Sequence, residues 1–102
     1  MALLPLDSAR TEVVRCLKKM HSPQGVALLT YKRDRGVVIL RIADDTYEVR
    51  EYGFTRERAQ VTGHRLGRLL KTIIRREFPR SRRARFLKLA GRDDLARISR
   101  EL

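Results

Sequence analysis

Residues 25–54, "GVALLTYKRDRGVVILRIADDTYEVREYGF", constrain the fold more than any other stretch. They hold three runs rich in β-branched and aromatic residues: Val26–Tyr31, Val37–Ile42 and Tyr47–Phe54. The links "KRDRG" and "ADDT" carry turn residues and are too short for a crossover helix. Neighbouring strands must therefore run antiparallel. In the third run, Tyr47 and Val49 alternate with Glu48 and Arg50, so one face is apolar. The middle run is almost wholly apolar, which predicts a central strand covered on one face.

Helical patterns flank this meander. In "LDSARTEVVRCLKKMHSPQG", Ala9, Val13, Cys16, Leu17 and Met20 fall at helical spacing. Arg10, Arg15, Lys18 and Lys19 mostly take the other side, Asp7 or Ser8 suits the N-cap, and Pro23 and Gly25 end the helix. A longer pattern predicts a second helix from about Arg56 to Phe78, with Thr55 as N-cap. Its apolar stripe is Ala59, Gly63, Leu66, Leu69, Leu70, Ile73 and Ile74. Gly63 and Gly67 each weaken a helix by roughly 1 kcal/mol, so their presence predicts close approach to the sheet. Residues 81–90 read equally as a fourth strand or a further helix. "DDLARISREL" predicts a short terminal helix with Asp93 as cap and Leu95, Ile98 and Leu102 at helical spacing. The expected fold is one small α+β domain over 1–102, with a three-stranded antiparallel sheet and two main helices in α-β-β-β-α order.

The charge is unevenly placed. The chain has 24 Lys and Arg against 12 Asp and Glu, a net of +12. Residues 1–55 contribute +2, whereas residues 56–88 hold twelve bases and two acids, +10. Such a run repels itself unless an anion offsets it, and nucleic-acid phosphates do so with counterion release. The predicted contacts are Arg65, Arg68, Lys71, Arg75 and Arg76 on the second helix, extended by Arg80, Arg82, Arg83 and Arg85. Lys32, Arg33 and Arg35 in the first hairpin turn are expected to add contacts. Phosphate contacts position rather than specify, so modest sequence specificity is expected, for DNA or RNA. Tyr31, Tyr47 and Tyr52 could stack on bases, although strand tyrosines usually pack.

Other chemistries find less support. One cysteine, Cys16, forbids an internal disulfide, and with two histidines no metal-ligand spacing exists. Neither a signal peptide nor a bilayer-length apolar run is present, so a cytoplasmic protein without membrane contact or cofactor is expected. The serines lack a His–acid context for nucleophilic work.

Three partial likenesses follow from these motifs. The α-β-β-β-α order resembles that of double-stranded-RNA-binding domains, with "GFTRERA" where those carry a Gly- and Lys-rich entry to the second helix. "REYGFTRERA" is similar to the sheet-reading DNA-binding domains of phage integrases and plant transcription factors, over about residues 30–70. Asp34, Glu48 and Arg50 resemble the acid and Glu-x-Lys of small resolvase-like nucleases, which hold Mg²⁺ at a scissile phosphate, with Arg in place of Lys. The reading favoured by charge is a non-enzymatic nucleic-acid-binding module. The alternatives are a module docking an acidic protein and a Mg²⁺-dependent nuclease using Asp34, Glu48 and Arg50.

Overall fold

The computed structural model describes residues 2–22, 24–32, 34–53, 56–79 and 81–91. Over these described residues it is α+β, with two helices on one antiparallel sheet of six strands. The elements are β1 (Ala2–Pro5), α1 (Leu6–Lys18), β2 (Gly25–Leu29), β3 (Gly36–Ala43), β4 (Thr46–Tyr52), β5 (Arg58–Thr62), α2 (Gly63–Glu77) and β6 (Arg83–Leu89). Their order across the sheet is β1-β6-β2-β3-β4-β5. The meander β2-β3-β4 forms as its short links require. Three further strands extend it, one of them the possible fourth strand over 81–90, so the expected sheet of three or four strands was too small.

Each extra strand has a non-local cause. Residues 83–89 form β6 by pairing with β2, Phe86 opposite Leu28, and with β1, Leu3 opposite Arg85. β5 takes Arg58–Thr62 out of the expected second helix, because those residues pair with β4, Ala59 opposite Val49. α2 consequently starts at Gly63, whose N–H donates to Asp45 Oδ1 at 3.1 Å. A Cβ on Gly63 would lie 2.3 Å from that oxygen, so a larger residue there would push the Asp45 carboxylate aside. Gly67 differs: a Cβ would meet nothing within 4 Å, and it faces a groove rather than the sheet. α1 starts at Leu6 with no side-chain cap; Ser8 Oγ instead donates to the Pro5 carbonyl at 3.2 Å. Thr55, the expected cap of the second helix, and the expected helix over 93–102 lie outside the described residues.

The main core lies between the helices and one sheet face. Ala9, Val13 and Leu17 of α1 and Leu66, Leu70 and Ile73 of α2 pack on Val26, Leu28, Val37, Ile39, Val49, Ala84 and Phe86. On the opposite face Ala27, Leu29, Val38, Leu40 and Leu89 form a second buried cluster. The central strand is therefore buried on both faces, not one, as its unbroken run "VVIL" permits. Arg41 closes the far end of α1: its Nη1 lies 2.8–3.3 Å from the carbonyl oxygens of Leu17, Lys18 and Met20, where the helix dipole is negative. The two helices run antiparallel, so the C-terminus of α2 sits at the end of the sheet that carries the β2–β3 turn. Among the described residues no helix is long and apolar enough to cross a membrane.

Candidate nucleic-acid interface

α2 divides into two faces by its own spacing. Leu66, Leu70, Ile73 and Glu77 are buried, at i, i+4, i+7 and i+11. Arg65, Arg68, Lys71 and Arg75 are exposed. At 100° per residue these four fall within about 120°, and ten residues of helix carry them over about 15 Å. None pairs with a carboxylate among the described residues. They form the stripe that the sequence predicts.

Arg76 does not belong to it. Its Nε and Nη2 donate to both carboxylate oxygens of Glu51, at 2.7 and 2.6 Å, in a bidentate pair. Arg35 is likewise engaged: Nε donates to Glu77 at 2.9 Å and Nη2 to the Arg76 carbonyl at 3.1 Å. Glu51 and Glu77 are 4% and 1% exposed, yet among the described residues no buried side-chain polar atom lacks a partner. Burial, acting first, and the neighbouring Glu77 raise the Glu51 carboxyl above its ordinary value against the opposing pull of Arg76. The two arginines and two carboxylates join the end of α2 to β4 and to the β2–β3 turn. They are internal structure, not free positive charge.

The basic residues after α2 part from the stripe. Arg83 and Arg85 share the strand parity of Leu87 and Leu89, which places them on the sheet face away from the helices. Arg85 lies over the ring of Tyr31, 4.4 Å from its centroid, and its Nε donates to the Tyr31 carbonyl at 2.8 Å. Arg82 is exposed ahead of β6, and its carbonyl accepts from Leu6 N–H at 2.8 Å. The tail thus does not prolong the α2 stripe as the sequence suggests; β6 is built into the sheet and its side chains must alternate. Lys32 is exposed in the β2–β3 turn, while Arg33 and Arg80 lie outside the described residues.

A second helix adds charge that sequence reasoning left unassigned. Arg10, Arg15 and Lys18 of α1, with Thr11 and Val14, line a groove of about 340 Å³ opposite Gly67 of α2. Arg15 is paired with Glu12, whereas Arg10 and Lys18 make no ion pair among the described residues. Their polar position on α1 was visible from the sequence. Their nearness to α2 depends on the antiparallel packing, which no local pattern reveals. A larger cleft of about 740 Å³ opens at the end of the sheet, between the β2–β3 turn, the end of α2 and Pro79 and Ser81.

Asp34, Glu48 and Arg50, the residues of the nuclease alternative, are not brought together. Asp34 accepts from Thr30 Oγ1 at 2.8 Å inside the β2–β3 turn, an ordinary role for a turn aspartate. Glu48 pairs with Arg50 at 3.2 Å on the face away from the helices, opposite Leu40 of β3. Four strand residues, about 13 Å, separate the level of Leu40 from that of Gly36, where the turn begins. Among the described residues no three His, Cys, Asp or Glu side chains gather as a metal site would require. No protein-family model, curated protein or solved structure matches the chain.

Proposed function

We propose that this domain binds nucleic acid by its phosphate backbone, through the helix layer. The observation that carries the reading is the α2 stripe of Arg65, Arg68, Lys71 and Arg75, which has no carboxylate partner among the described residues. Like charges at i, i+3 and i+4 repel by a few tenths of a kcal/mol each, so the stripe costs stability without an anion. A phosphate chain neutralises the whole stripe at once and releases its counterions. Arg10 and Lys18 flank the stripe across the groove. Contacts of this kind go to phosphates rather than base edges, so low sequence specificity is expected.

The test is a salt titration of binding to duplex DNA and duplex RNA. Four phosphates held by the stripe give a slope of log K against log salt of about −3.6. Arg68→Gln with Lys71→Gln should make that slope shallower by about 1.8, with circular dichroism unchanged. A slope that stays the same would remove the stripe from the interface. Competition by polyglutamate of matched charge, equal in strength to nucleic acid, would overturn the reading in favour of an acidic protein partner.

A further inference from the structure

Only two large apolar side chains are exposed among the described residues, Leu3 at 46% and Tyr31 at 69%. Single exposed apolar groups are common on protein surfaces. Tyr31 is different because it is held. The guanidinium of Arg85 covers one face of its ring at 4.4 Å, and the same side chain bonds the Tyr31 carbonyl at 2.8 Å. Arg85 is itself anchored in β6, between Leu3 of β1 and Leu29 of β2. The turn that carries Tyr31 is closed by Thr30 N–H to the Arg35 carbonyl at 2.9 Å and by Thr30 Oγ1 to Asp34 at 2.8 Å. Arg35 is in turn fixed by Glu77. Ring and backbone are therefore ordered before any ligand arrives, which lowers the entropy cost of binding on the ring.

With one ring face under Arg85 and the residue still 69% exposed, the other face is open to solvent. Its surroundings are cationic. Lys32 follows it in the turn, and Arg83 is exposed two residues before Arg85 on the same side of β6. Asp34 is the one carboxylate of the turn among the described residues, and it is already bonded to Thr30. An open aromatic face ringed by cations suits a flat ligand that carries negative charge. We infer that Tyr31, backed by Arg85, is a stacking platform for an unpaired base of a single-stranded nucleic acid, with Arg83 and Lys32 placed for the adjoining phosphates. The inference rests on the reading that the chain binds nucleic acid, and adds what the α2 stripe does not provide: a preference for unpaired bases, on a different surface.

Fluorescence anisotropy of the full chain with two labelled single strands of equal length tests this, one bearing bases and one wholly abasic. Stacking on one base should make the base-bearing strand bind roughly 5- to 150-fold more tightly than the abasic one. Tyr31→Ala should erase that difference and leave abasic binding unchanged, whereas Tyr31→Phe should keep it. Equal affinity of the unmodified protein for both strands, or a difference that survives Tyr31→Ala, overturns the platform and spares the phosphate reading. Failure to bind either strand while duplex still binds overturns the platform alone; failure to bind duplex as well overturns both.

Discussion

Replacing Glu77 with alanine should be among the most damaging single changes in this domain. Glu77 completes the buried stripe of α2, its side chain is 0% exposed, and it accepts from Arg35 Nε at 2.9 Å. Removing one partner of a buried ion pair costs about 3–5 kcal/mol, because the other charge loses its compensation. Two features place the cost near the lower end. The Arg35 side chain is 31% exposed, so water reaches it, and its bond to the Arg76 carbonyl survives. Loss of Glu77 also relieves a like charge beside Glu51. A loss of about 3 kcal/mol, at a urea dependence of about 2 kcal/mol per molar, lowers the unfolding midpoint by about 1.5 M. Urea titration followed by circular dichroism reads this directly, and Arg35→Ala with the double variant completes a cycle. A midpoint shift of less than about 0.3 M, or strictly additive single effects, would refute the ion-pair account.

The Glu51 carboxyl is raised above its ordinary 4.5 by burial first, so the folded state holds its proton more tightly than the unfolded state does. Its proton-linked contribution is then fully present below about pH 4.5 and is lost as pH rises through the folded value. Urea midpoints taken from about pH 4.5 upward should show that decline, and Glu51→Gln should flatten it. Two glycines should respond oppositely to alanine. Gly67→Ala meets open space and should stabilise α2 by about 1 kcal/mol, raising the melting temperature by about 4–8 °C. Gly53→Ala, at φ +130° and with its Cβ 2.6 Å from Glu77 Oε1, should lose about 1–3 kcal/mol in the same melts.

The elements legible in the sequence were those whose pattern is self-sufficient. The meander follows from three β-type runs and two short links, and the buried faces of α1 and α2 follow from helical spacing. β5 was not legible, because Arg58, Ala59 and Gln60 suit a helix and continue the spacing of Leu66 backwards; only the partner strand decides. β1 is four residues with no alternation to read, and its identity comes from β6, some eighty positions away. The α2 stripe was readable because exposure follows from periodicity. The buried pairs of Arg76 with Glu51 and Arg35 with Glu77 were not, although one signal existed. A glutamate in the last turn of a helix opposes the dipole, so Glu77 needed a cation from elsewhere. The platform of Tyr31 and Arg85 joins residues 54 apart, a distance over which composition carries no information.

The position of β6 between β1 and β2 has a consequence for how the chain can be made. A ribosome delivers β2, β3, β4 and β5 in an order in which each strand finds its neighbour already present. β1 emerges before them and waits for β6 before it has any partner in the sheet, with the flank of β2 open meanwhile. Assembly should therefore be gated by the emergence of β6, so that chains stalled before residue 83 present an unpaired edge and become substrates for chaperones or self-association.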